Sequence, residues 1–271
     1  MSKRFSLIFV STLTIFATVL MSFATWTSTA SAQTYTTPAN LQSGSLIRGQ
    51  SYSAVYYYGA DGMRYVFPND KTYFTWFSNF DSVLWLTDKD LATIQIGGNV
   101  TYKPGVKMIK INSDPKVYAV GSGGSLRHVS TEAIAITLYG SNWNKMIDDV
   151  PDGFFPNYKI STAIEISTSF SVNAEKAEAT DINTDKNLQS AIVVTITDNM
   201  YTPSNVTVSA GRAVKFVNNG STKHSASGDD GVWGTGTMTA GGSFIKYFKT
   251  AGTYSFHCAY HSNMTGTITV Q

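Results

Sequence analysis

The chain has 271 residues, 42% hydrophobic, 13% aromatic and 14% charged, with 22 glycines. That balance suits one large or two small turn-rich, mainly β domains and argues against helical bundles or disorder. The net charge of +2 is supplied by Lys3 and Arg4 alone, so no basic face is available for nucleic acid, and the single cysteine, Cys258, excludes an internal disulfide.

Lys3 and Arg4 open a targeting segment. An apolar run from about Leu7 to Ala24, followed by Ala30, Ser31 and Ala32 before Gln33, reads as a cleaved signal peptide over residues 1–32. The run exceeds the usual core of about 7–15 residues, so an uncleaved membrane anchor is the alternative. No cysteine stands near the cleavage site for lipid attachment, and no second apolar span follows. The rest of the chain is therefore expected outside the cytoplasmic membrane, in the periplasm, at the cell surface or in the medium.

Residues 33–45 are polar and read as a flexible lead-in. Residues 46–160 are aromatic, punctuated by glycine, and repeat themselves. Val55-Tyr56 returns as Val117-Tyr118 at an offset of 62, while Arg64, Val66 and Ser78-Asn79 return as Arg127, Val129 and Ser141-Asn142 at 63. A one-residue insertion at the glycine turn (Gly59 to Gly62 against Gly121 to Gly124) accounts for the change. The reading is two copies of one unit, about 46–108 and 109–160, each opening with a hairpin. A short helix over Thr131–Tyr139 is expected, capped by Thr131 or Ser130. The aromatics, among them Tyr56, Tyr58, Tyr65, Tyr73, Trp76, Trp85, Trp143 and Tyr158, are read as core, with carbohydrate binding as the alternative. Gly121 to Gly124 lacks the lysine and strand-to-helix context of a phosphate loop and reads as a turn. His128 reads as a structural or surface residue.

Residues 161–189 turn polar, without sustained apolar period, and are expected to form a partly extended linker. From 190 onward the pattern is β. Ile192, Val194 and Ile196 alternate, as do Val214 and Phe216, Tyr254, Phe256 and Cys258, and Ile268 and Val270. Turn residues separate these short runs, which suits a small antiparallel sandwich or barrel.

Strand parity puts Phe256 and Cys258 on the inner face and His257 on the outer one. The strand then stops, and a loop over Ala259 to Asn263 carries His261 towards Met264. Thiolate, imidazole and thioether, each three residues from the next, form a soft set that selects copper over magnesium or calcium, and a trigonal copper site needs one more histidine. His257 faces away and His128 lies in the other domain, which leaves His224. Met200 and Met238 read as core or surface fill.

The stretch from Val214 to Val270, with its G-T-Y-x-F-x-C strand, C-x-x-H-x-x-M spacing and G-x-I-x-V ending, resembles the cupredoxins, the type 1 blue-copper electron-transfer proteins. The spacing is most similar to the amicyanin and plastocyanin-like branch. The resemblance covers 190–271 and implies a Greek-key β-sandwich with one copper held by His224, Cys258, His261 and Met264. The segment is short for the family, so an edge strand is expected to be missing or supplied by the linker. Prolines that are frequent near the family's ligand loop are replaced by Ala259-Tyr260 and Ser262-Asn263, which leaves the redox tuning open.

Ser225 or a nearby backbone N–H is the candidate hydrogen-bond donor to the Cys258 sulfur. His261 is the expected exit for electrons. Phe256 and His257 form a second candidate path, with a plain surface histidine as the alternative for His257. All ligand seats being filled by protein, an enzyme is not expected. The leading expectation is an exported one-electron carrier serving an unidentified redox partner protein, with the repeats docking it at the envelope. The alternatives are a module in which the repeats bind a cell-envelope polymer beside a structural or degenerate copper domain, and a copper buffer or chaperone.

Overall fold

The computed structural model describes residues 33–271; the signal peptide, its cleavage site and the alternative anchor lie outside the described residues. Among these residues no helix is long and apolar enough to cross a membrane.

Copy one comprises β1 (Leu46–Arg48), β2 (Val55–Tyr58), β3 (Arg64–Val66), α1 (Asp70–Trp76), β4 (Val83–Trp85), α2 (Asp88–Thr93) and β5 (Ile96–Asn99). Copy two comprises β6 (Met108–Ile111), β7 (Asp114–Gly121), β8 (Ser125–Val129), α3 (Glu132–Tyr139), β9 (Ile147–Asp149), a 3-10 turn over Asp152–Asn157 and β10 (Lys159–Ile164). The sheets run β4-β1-β2-β3-β5 and β9-β6-β7-β8-β10, one topology used twice. Local chemistry explains the helix starts: Asn69 and Thr131 each accept the N–H three residues on, from Thr72 and Ile134.

The insertion between the copies is not at the glycine turn. Gly59 pairs with Met63 and Gly121 with Ser125, so the two turns are equal in length. The offset of 62 persists through the helix caps Asn69 and Thr131, and the extra residue falls in α3, eight residues long against seven in α1. Arg64 therefore corresponds in space to Leu126, not to Arg127. The copies meet through Tyr102, whose N–H donates to the Tyr158 hydroxyl at 3.1 Å, and through Asn99 and Asn157 at 3.0 Å.

The lead-in is anchored rather than loose: Tyr35 bridges to Trp85 and Leu41 is buried. Residues 161–189 are folded, contrary to a linker. They complete β10 and form α4 (Val172–Glu178) and α5 (Ile182–Lys186), capped by Ser171 and Asp181. Phe170 and Ile182 are buried, and the acids bond to backbone: Glu175 takes the Ser122 N–H at 2.7 Å and Asp185 the Gly123 N–H at 2.8 Å. Capping and acid-to-backbone bonds, which carry no apolar period, hold this stretch.

The final eight strands are β11 (Ile192–Thr197), β12 (Met200–Thr202), β13 (Asn205–Val208), β14 (Arg212–Asn218), β15 (Ser227–Gly228), β16 (Ser243–Phe248), β17 (Gly252–Cys258) and β18 (His261–Val270). They form two sheets, β12-β11-β14-β16 and β13-β18-β17-β15, packed as a β-sandwich. All strands of the sandwich come from residues 192–270, so none is lent by the preceding segment. Val194, Ile196, Phe216, Phe256 and Ile268 fill the core at 0% exposure, the inward half of each alternating run. Gly266 has to be glycine: a Cβ there would stand 2.3 Å from the Phe256 ring and 2.7 Å from the Ser204 carbonyl.

Copy one is bonded to the outside of this sandwich. Asp61 accepts the hydroxyls of Tyr65 and Tyr247, each at 2.6 Å. Gln95 takes the Ile245 N–H and donates to the Ile245 carbonyl, both at 3.0 Å, capping the free edge of β16.

Candidate metal centre

The end of the sandwich is shaped by two structures, a hairpin and a braced loop. β17 and β18 join through a two-residue turn, Ala259-Tyr260, with Cys258 opposite His261. The expected longer loop is thus a tight turn followed by a bulge. The register jumps from His257 with Thr265 to Cys258 with His261, so Ser262, Asn263 and Met264 are extra residues on β18. The bulge is what lets Cys258 and Met264, both 2% exposed, share one core cluster.

The braced loop follows β14. Asn218, fully buried, donates to the carbonyls of Thr222 and Met238 at 2.9 Å and accepts the Gly220 N–H. His224 exchanges two backbone hydrogen bonds with Met238, at 3.1 and 2.8 Å. The loop backbone is therefore fixed before any side-chain contact is counted. His224 has 0% exposure.

Three donors converge. Nδ1 of His224 lies 3.8 Å and Nδ1 of His261 3.6 Å from Sγ of Cys258. All three donor atoms fall within 4.8 Å of one another, and among the described residues this is the one such group of three or more metal-ligating side chains. A sulfur and a nitrogen bound at about 2.3 and about 2.0 Å to one ion with trigonal angles stand ~3.7 Å apart. The donor set fits a single ion. Met264 lies close by in the core, which adds a soft thioether to the surroundings.

The electrostatics favour the ligating forms. Burial raises the Cys258 thiol, but the backbone N–H groups of Ser225 and Tyr260, with the imidazoles of His261 and His224, outweigh it and bring the thiol to about 6. The Ser225 group at the sulfur is its backbone N–H. Its hydroxyl instead accepts the Ala259 N–H at 2.9 Å and so holds the turn. On the far side of His224, Nε2 lies 3.0 Å from the Thr222 hydroxyl and 3.3 Å from Asp198 Oδ1. Hydrogen bonds from Ser221, His224 and Thr222 push the exposed Asp198 carboxyl well below its ordinary range.

His257 points outward, with its Nδ1 2.6 Å from Asp229 Oδ1, while Phe256 lies in the core. Met238 is core and Met200 is exposed. His128 remains apart from the cluster, beside Tyr118 in copy two. Asp198, Thr222, Asn218 and the Tyr260 N–H complete the site without a local sequence signal for that role. Asn218-Asn219-Gly220 is a turn-forming triplet, the one local sign of a structured loop before His224.

A cupredoxin-like domain model matches residues 164–270. Plastocyanin from Scenedesmus fuscus is 35% identical over 85 residues, which span 27% of this chain and 87% of that protein. Among solved structures, a purple cupredoxin from Nitrosopumilus maritimus aligns with a TM-score of 0.28 and 21% identity, covering 30% of this chain and 99% of its own. A reduced amicyanin variant aligns with a TM-score of 0.29 and 29% identity, covering 30% and 82%. By the family model over 164–270 and the 35% identity to a plastocyanin, 87% of which is covered, the chain belongs to the cupredoxin family through its C-terminal domain.

Proposed function

We propose that the protein is a type 1 copper protein working as a one-electron carrier, with His224, Cys258, His261 and Met264 as the ligands. The observation that carries this reading is the placement of two imidazole Nδ1 atoms 3.8 and 3.6 Å from one cysteine sulfur. Bound there, copper supplies a reversible one-electron couple. The chain's own residues do the rest. Asn218, Met238 and Asp198 hold His224 in place, the Ser225 and Tyr260 N–H groups stabilise the thiolate, and Phe256 with the surrounding core excludes water. A site that keeps its shape between oxidation states exchanges electrons with little rearrangement.

His261, partly exposed at the edge, is the proposed exit to a redox partner protein, with His257 beside it as a second route. With protein donors in every seat, the site is a carrier's and not an enzyme's. Export rests on the basic start, apolar run and small-residue site of residues 1–32. The repeats are proposed to dock the carrier to the envelope or to an envelope polymer.

The test is the visible spectrum of the full chain after adding Cu(II), alongside Cys258→Ser. An intense thiolate-to-copper band in the wild type and none in the variant supports the reading. A folded protein that takes up no copper sinks it.

A further inference from the structure

The two copies share a topology but treat one face of their sheets differently. In copy two, Tyr118 and Leu126 are covered by Phe154 and Phe155, and the Phe155 ring lies 5.8 Å from that of Tyr118. The matching strand positions in copy one are Tyr56 and Arg64. Aligning Asp88 at the start of α2 with Asp152, Leu91 and Ala92 stand where copy two has Phe155 and Pro156. The smaller side chains leave an open cavity of about 440 Å³, lined by Tyr52, Tyr56, Arg64, Asp88, Leu91 and Ala92. Copy two fills with its own rings the space that copy one keeps open.

Arg64 is the unusual wall. Its guanidinium carbon lies 4.7 Å over the Tyr56 ring, its Nε is buried without an acceptor, and among the described residues no carboxylate pairs with it. Burial has stripped part of its hydration, which holds it below the ordinary guanidinium value. The other partly buried arginines find acceptors: Arg127 donates to the carbonyls of Thr162 and Ser169, Arg48 to those of Gly49 and Tyr52, and Arg212 to the Ser190 carbonyl and Gln189 Oε1. The nearby acid, Asp88, is engaged by the N–H and hydroxyl of Ser51. These same bonds from Arg48 and Ser51 pin the loop that carries Tyr52, so the walls are in place without a ligand. A partly desolvated cation that no carboxylate pairs, set among tyrosine rings, lacks an anion with a flat body.

We propose that this cavity binds a small carboxylate with a flat or apolar body, its carboxylate on Arg64 and its body against Tyr56 and Tyr52. The site is independent of the metal centre and of the copper reading.

The test is calorimetric titration of the full chain with benzoate, with benzamide and inorganic phosphate in parallel. Saturable one-to-one binding of benzoate is expected, with both comparison probes weaker by about tenfold or more. Arg64→Leu, which installs the residue of copy two, is expected to weaken benzoate by about ten- to hundredfold. Ala92→Phe, which fills the space and keeps the charge, is expected to abolish binding, and it carries the test if Arg64→Leu does not fold. No saturable binding to the wild type, equal binding of benzamide or phosphate, or unchanged benzoate affinity in the folded variants overturns the proposal.

Discussion

Asp198 accepts a hydrogen bond from Nε2 of His224 at 3.3 Å, on the side of the ring turned away from Cys258. The Thr222 hydroxyl, also facing Nε2, donates its own proton to Asp198 at 2.9 Å, so Nε2 is the donor to both oxygens. The carboxylate thereby orients the ring so that Nδ1 faces the thiol. Removing the carboxylate by Asp198→Ala is expected to lower copper affinity by about 10- to 100-fold with the β-sandwich intact. Chelator competition alongside circular dichroism measures this, and unchanged affinity would remove Asp198 from the site.

Gly220 offers a second approach to the same contact. A Cβ there would stand 2.5 Å from Asp198 Oδ1 and 3.2 Å from His224 Nε2. Gly220→Ala should therefore displace the carboxylate and mimic Asp198→Ala. Because both act through one contact, the double variant should lose little more than either alone. Additive losses in the competition assay would show that the two substitutions act separately.

Met264 is buried in the sandwich core beside Cys258. Met264→Leu conserves volume, so stability should change by less than about 1.5 kcal/mol. Loss of a weak thioether donor disfavours Cu(II) more than Cu(I), so the reduction potential should rise. Voltammetry of the two copper-loaded proteins checks this; an unchanged potential means that Met264 is no ligand.

The seam between copy one and the sandwich rests on named bonds. Tyr247→Phe removes one of the two hydroxyls donated to the buried Asp61 and should cost about 1–3 kcal/mol in denaturant unfolding. Gln95→Ala uncovers the Ile245 N–H and should speed amide exchange along β16 while leaving the copper spectrum unchanged. Exchange at wild-type rates would show that the cap is incidental.

Burial raises the Asp185 carboxyl above its ordinary value, against the opposing hydrogen bond from the Gly123 N–H. The unfolded chain thus loses this proton at lower pH than the folded one. Stability falls as pH rises from the ordinary value of about 3.9 to the raised one, and the deficit persists above it. Asp185→Asn keeps an acceptor for Gly123 and removes the ionisation. It should be more stable than wild type at neutral pH, with the gain fading below about pH 4, as read from urea melts at both pH values.

Local signals in the sequence reach some of this and miss the rest for physical reasons. The alternation of Tyr254, Phe256 and Cys258 and the spacing to His261 and Met264 are local, so parity and ligand softness suffice to single them out. Asp198 is 26 residues from His224 and reaches it through the parallel pairing of β11 with β14, which no local pattern encodes. A three-residue bulge leaves no sign in composition, so strand parity predicts a longer loop where the structure has the tight turn at Ala259-Tyr260. Arg64 and Arg127 look equivalent by spacing, yet the extra residue lies in a helix, and the two side chains sit at different places in their sheets. Polar composition concealed the fold of 161–189, because its acids bond to backbone N–H groups instead of water.

The folded state of 161–189 also bears on how the proposed carrier would work. A flexible arm would let the metal end search a volume around whatever the repeats hold, and exchange would follow arm length. Here α5, Asp61 and Gln95 act as a bracket. On the proposed reading, a partner docked on the repeats would meet the His261 edge at one distance and one heading, and its shape, not the reach of a tether, would select which proteins exchange electrons with it.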